Sequence, residues 1–240
     1  MPLKELAERR NMLHRKSDAQ TVLKHVLDDV QIGPVALVSS FGAESVVLLH
    51  MISQIDPATP IVFLDTEMLF EETQQYQKDV SEALGLTDVR VVKPARSAVF
   101  ERDVDGLLHQ ADIDACCTLR KVEPLERALK DFGGWITGRK QFQGGQRKQL
   151  PLFEKDGFEI KVNPLANWSR DDIAAYMEKH NLPRHPLVAQ GYPSIGCMPC
   201  TTRVGDHEDP RAGRWRDNAK TECGIHFDGG KVARVNEVSA

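Results

Sequence analysis

The chain has 240 residues, 41% of them hydrophobic and 28% charged, a composition that suits one substantial core and leaves little for a second. A formal net charge of −4 argues against a surface dedicated to nucleic acid, which needs clustered basic side chains, but leaves room for one basic cleft that takes a small anion. No apolar run reaches the length of a membrane span and no secretory pattern opens the sequence, so no membrane is expected and the expected compartment is the cytoplasm.

Residues 1–30 are charged and predict a helix. Three apolar runs follow, Val35-Ala36-Leu37-Val38, Ile61-Val62-Phe63-Leu64 and Val89-Arg90-Val91-Val92, with helical patterns over 44–54 and 70–84 between them and Gly85 as a stop. Strands alternating with helices predict βαβ units and a mostly parallel sheet flanked by helices. Trp135-Ile136-Thr137 reads as a fourth strand after a helix near 123–132, which carries Pro124 in its first turn. Ser169, with Asp172 three residues on, opens a helix to about His180, and Pro183 and Pro186 break the chain after it. From Gly191 the sequence turns rich in Gly, Pro, Asp and Arg, yet it holds three of the five cysteines. The expected organisation is an α/β nucleotide-binding domain over 1–190 and a dependent C-terminal segment over 191–240.

Ser39-Ser40-Phe41-Gly42-Ala43-Glu44-Ser45 follows the first strand and opens a helix, the place where an open α/β sheet binds ligands. Amides at a helix start, with the hydroxyls of Ser39, Ser40 and Ser45, suit a phosphate or sulfate, and a plain strand–turn–helix junction is the bland alternative. The lysine of a Walker loop is missing. Leu64-Asp65-Thr66-Glu67 ends the next strand and places Asp65 and Thr66 near a base or ribose, or else as a helix cap.

An odd cysteine count without a secretory signal argues against a disulfide framework and for metal binding or chemistry. Cys116-Cys117 and Cys197-Met198-Pro199-Cys200 form a four-thiolate set. Structural zinc is one reading, although adjacent thiolates reach a single small ion awkwardly. A [4Fe–4S] cubane offers separate irons to adjacent cysteines and is favoured. Arg120 and Lys121 follow closely and bring cations to an anionic cluster, unless they belong to a solvated helix face. Cys223, in Glu222-Cys223-Gly224-Ile225-His226, stands apart from both pairs and is the candidate nucleophile, with Arg203, Arg211, Arg214 and Arg216 upstream as candidate cations.

The ordered set of these motifs, with Cys116-Cys117-x-x-Arg120-Lys121 and Trp135-Ile136-Thr137-Gly138, resembles the assimilatory adenylyl-sulfate (APS) reductases, relatives of the phosphoadenylyl-sulfate (PAPS) reductases, over residues 35–226. The resemblance implies an adenine-nucleotide α-hydrolase-like fold and a [4Fe–4S] cluster on Cys116, Cys117, Cys197 and Cys200. It also implies a reaction in which Cys223 attacks the substrate sulfur, releases AMP and is cleared by a thioredoxin or glutaredoxin as sulfite leaves. By position Ser39, Ser40, Phe41, Gly42, Glu44, Ser45, Leu64, Asp65 and Thr66 contact substrate, and Lys121, Arg147, Arg211, Arg214 and His226 meet its anionic end. Members of the family are often oligomeric, so a homo-oligomer is among the expected partners.

Two departures stand out: Glu67 replaces a common glycine, and residues 138–147 differ from the usual arginine-rich loop, where Arg139 is a second option beside Arg147. Glu44 and Glu67, with no Arg or Lys in 39–45 or 64–68, are expected to repel a 3′-phosphate and select APS over PAPS. The rival readings are PAPS reduction, an ATP-dependent sulfur-transfer enzyme, whose Gly-Gly and Asp the 39–45 loop lacks, and a metal-binding module without enzymatic activity.

Overall fold

Six strands form one sheet in the order β3-β2-β1-β4-β6-β5 in the computed structural model, which describes residues 1–216, 218, 220, 222 and 224–226. The elements run α1 (Leu3–Leu13), α2 (Ala19–Leu27), β1 (Val35–Ser39), α3 (Ser45–Ser53), β2 (Ile61–Leu64), α4 (Glu71–Ala83), β3 (Val89–Val92), α5 (Arg96–Arg102), α6 (Leu108–Ala111), α7 (Ile113–Cys117), a π-helical turn (Thr118–Val122), α8 (Glu123–Leu129), β4 (Gly134–Ile136), β5 (Phe153–Asp156), β6 (Glu159–Val162) and α9 (Arg170–Lys179). Every strand pair is parallel except β5 with β6. The expected mostly parallel sheet flanked by helices is what forms.

Burial on both faces explains why the inner strands read as unbroken apolar runs. One face carries the main core, where six of the nine residues of α3 are buried, as a helix apolar all round must be. The other carries a smaller cluster of Ala36, Val62, Leu125, Leu129 and Trp135 under α8. The capping box predicted for α9 is formed, with Asp172 N–H donating to the Ser169 hydroxyl at 3.1 Å. The single helix expected over 1–30 is two, because Asp18 caps α2 by accepting from the Thr21 N–H at 2.7 Å.

The chain builds outward from β1 through β2 to β3, then returns to lay β4 against the free side of β1. That reversal opens a crevice beyond the carboxyl ends of β1 and β4. Residues 192–201 pack back onto this edge. Cys197 bridges Leu69, Met198 N–H donates to Met68 O at 2.8 Å, and Thr201 bridges Arg214.

Candidate active site

A cavity of about 380 Å³ fills the crevice, and among the described residues seven basic but only two acidic side chains, Glu44 and Glu222, line it. Its volume is that of a small-ligand site. A protein of net negative charge thus keeps a cationic interior at one sheet edge, as the composition had left open.

The segment between β1 and α3 supplies one wall. Ser39, Ser40, Gly42, Glu44 and Ser45 line the cavity, with Leu64 and Thr66 from the end of β2. Two loop amides bond within the loop, Phe41 N–H to the Ser39 hydroxyl at 3.2 Å and Gly42 N–H to the Ser45 hydroxyl at 3.0 Å. Phe41, at φ +46, turns its ring into the core against Phe63 and is not among the lining residues. Asp65 is not among them either; it accepts from Glu67 N–H at 2.9 Å and pairs with Lys93 at 3.3 Å.

The opposite wall follows β4 and was the part least visible in the sequence. Lys140 is buried and pairs with Glu44 at 2.6 Å. Burial, reinforced by Arg147 and Arg211, pulls its ammonium down in pKa against the pull of Glu44, so these three cations share one neighbourhood. Arg147 lies beside Glu222 as a bidentate pair, with Nη2–Oε2 at 2.5 Å, and also donates to Gln143. Arg139 is held by Glu154 and Asn163. The usable signal for Lys140 was its place just past the end of β4, the same edge as Ser39.

Glu44 and Glu67 do not stand as free anions. Lys140 reaches Glu44, and Arg120 Nη1 lies 3.7 Å from Glu67. The expectation that these carboxylates repel a 3′-phosphate is corrected for Glu44, which Lys140 offsets, whereas Glu67 shares Arg120 with the nearer Asp103.

The neighbours Arg120 and Lys121 divide their work. Arg120 is buried, pairs with Asp103 at 2.7 Å and donates to Thr66 O at 2.8 Å, so it ties the π-helical turn to the end of β2. Lys121 lines the cavity, and its ammonium helps to lower the pKa of the Cys197 thiol. Neither belongs to a solvated helix face.

Cys116, Cys117 and Cys197 are buried and Cys200 is half-buried, all as free thiols. Burial, with Cys117 and Cys197 adding, pushes the Cys116 thiol up to about 12. Burial and Cys197 likewise raise Cys200, against Lys121. At Cys197 burial pushes up most strongly, but Lys121, the Thr66 hydroxyl 3.2 Å from Sγ, and Arg214 together bring the thiol down. Cys116 and Cys200 thus each feel thiols from both pairs, across two distant chain segments. Among the described residues no three His, Cys, Asp or Glu side chains are arranged to share one metal ion. Four thiols from two pairs, beside Lys121 and Arg214, do fit the donor chemistry of a four-iron cluster.

Arg211 and Arg214 complete the cationic lining. Arg214 Nη1 donates to Ile195 O at 3.2 Å, and its guanidinium lies 4.5 Å over the Trp215 ring. Arg214 Nε and Trp215 Nε1 are buried donors with no acceptor among the described residues. Cys223 lies outside the described residues. Its described sequence neighbours Glu222 and Ile225 line the same cavity, and His226 contributes backbone to the turn Gly224–His226.

Comparison with known proteins agrees with this geometry. The chain is 53% identical to the adenosine 5′-phosphosulfate reductase of Mesorhizobium japonicum, covering 83% of this chain and 78% of that one. It is 41% identical to the phosphoadenosine 5′-phosphosulfate reductase of Gloeobacter violaceus, covering 79% and 81%. The crystal structure of PAPS reductase from Candida auris, a phosphate complex, superposes with a TM-score of 0.69 at 28% identity over 83% of this chain and 97% of that one, so the fold is the adenine-nucleotide α-hydrolase-like one. The sequence profile of the phosphoadenosine phosphosulfate reductase domain matches residues 34–203, and the chain belongs to that family.

Proposed function

We propose that the chain reduces adenylyl sulfate to sulfite and AMP in sulfate assimilation, with Cys223 as nucleophile. The observation that carries this is the pair of buried, unsatisfied donors, Arg214 Nε and Trp215 Nε1, at a cavity with an excess of basic side chains. Buried donors without acceptors favour an anionic ligand, and a phosphosulfate is doubly anionic. The names of the Mesorhizobium and Gloeobacter relatives support the substrate class, and the higher identity is to the one named for APS.

In this reading the serine loop and the end of β2 bind the nucleotide, while Lys121, Arg211, Arg214 and His226 hold the phosphosulfate. The Cys223 thiolate attacks sulfur, the S–O bond to AMP breaks, and an S-sulfocysteine forms. A dithiol of the thioredoxin or glutaredoxin type then attacks the Cys223 sulfur. The donor is oxidised to a disulfide by two electrons and sulfite departs. Cys116, Cys117, Cys197 and Cys200 would hold a [4Fe–4S] cluster, whose role would be structural and electrostatic, an anionic group beside the cation of Lys121. The compartment in this reading is the cytoplasm, and a second copy of the chain is one of the partners to test for. Among the described residues no helix is long and apolar enough to cross a membrane.

The test is anaerobic incubation with adenylyl sulfate and no reductant. Mass spectrometry should find one sulfonate on the peptide containing Cys223, and Cys223→Ser should lose sulfite release while still binding AMP. A sulfonate on another cysteine, or comparable turnover by the Ser variant, would overturn the assignment. The kcat/KM ratio for the two nucleotides, measured alongside, decides the substrate, and a preference for PAPS would sink the choice of APS.

A further inference from the structure

Strand β6 carries a lysine where its neighbours Ile160 and Val162 are wholly buried, and Lys161 itself is only 2% exposed. A buried ammonium is costly unless it is well partnered. Lys161 Nζ bonds Asp156 at 2.8 Å, lies 4.4 Å from the centre of the Trp135 ring, and reaches Ile225 O at 3.5 Å. Ile225 packs its side chain on the cluster that contains Trp135. Two residues past Cys223, the chain therefore meets a charge, an aromatic face and an apolar surface together.

On the other side of Cys223, Glu222 is buried and joined through both carboxylate oxygens to Arg147. Such a pair fixes angle as well as distance. The Gly224–His226 turn also packs against the π-helical turn that follows the cysteine pair. Family position makes Arg147 an anion ligand, but its guanidinium is committed to Glu222.

We propose that Arg147 and Lys161 are positioning residues, two buried posts that dock the chain on either side of Cys223 against the cavity; this rests on the reading of Cys223 as the nucleophile. Neither touches the reacting atoms in this reading. Lys161 acts through Ile225, and Arg147 through Glu222.

Lys161 is not among the described residues that line the cavity, so its replacement disturbs the dock without removing a substrate contact. Methionine matches its length, and an apolar residue in place of a buried ion is often tolerated. In Lys161→Met, AMP affinity should stay within about twofold of wild type, while backbone hydrogen exchange in the peptide spanning 224–226 quickens by about tenfold or more. The single-turnover rate of Cys223 sulfonation should fall by about tenfold or more, and Lys161→Arg should recover part of it. Unchanged exchange and sulfonation rates would overturn the proposal, as would a loss of AMP binding equal to the loss of rate. Glu222→Gln, which keeps the shape and drops the charge, should reproduce both effects through the other post and serves if Lys161→Met does not fold. If wild-type Cys223 takes no sulfonate at all, the functional reading fails and the exchange measurement alone decides the docking.

Discussion

The four paired thiols were legible as a set because their sequence spacing is itself chemical information. Their surroundings were not, since Thr66, Lys121 and Arg214 reach Cys197 from three separate parts of the chain. Cys197 sits where cationic and hydroxyl partners favour its thiolate, so within the proposed cluster set its loss should be felt most. Cys197→Ala, purified anaerobically, should retain less than about half the iron of wild type, with the visible absorption of a four-iron cluster lost in step. Full iron content in this variant would remove Cys197 from the ligand set. The same contrast explains Arg120, where adjacency to Lys121 suggested a shared role. Direction of projection from the π-helical turn decides otherwise, and residue type does not encode it.

At the scale of elements, the parallel strands were readable because burial on both faces leaves unbroken apolar runs. The β5–β6 hairpin was not, because its strands mix Glu, Lys and Asp with apolar residues at the edge of the sheet. The Asp156-Gly157 pair, with Gly157 at φ +58, was the available signal for its turn. The join between α4 and the proline-rich stretch after α9 also escaped notice. There His185 is buried, its Nδ1 accepting from Leu187 N–H at 3.2 Å and its Nε2 lying 3.1 Å from the Thr73 hydroxyl. Burial lowers its pKa to about 4. The folded state therefore holds the neutral ring while the unfolded state protonates near 6.5, so stability is full above about pH 6.5 and is lost as pH falls toward 4. The loss is on the order of 3 kcal/mol at most. Urea midpoints should fall between pH 7 and 4.5 in wild type and fall less in His185→Gln; equal slopes would remove His185 as the cause.

Over the whole molecule, net charge and local charge point opposite ways: the chain is acidic, and the cavity is basic. Composition alone shows only the first, because the cavity cations come from residues spread between 121 and 214. Attraction of an anion to such a site is screened over roughly 10 Å at 0.1 M salt. AMP affinity should therefore fall several-fold between about 0.05 and 0.5 M salt while adenosine affinity holds. Parallel declines for both ligands would remove electrostatic recognition.

The strand order has a consequence for biogenesis. The cavity borrows walls from residue 39 and from residue 225, and the two thiol pairs stand on opposite sides of β4, β5 and β6 in the chain. A polypeptide emerging from its amino end contains the residues of β1 to β3 long before it owns those of a complete site. Until residues 197–200 are made, Cys116 and Cys117 are without the second pair, and in the folded chain Cys116 lies near Asp103 and Arg120. If the proposed cluster is held there, its iron and sulfur would be delivered late, only after the sheet is complete and residues 197–200 have followed.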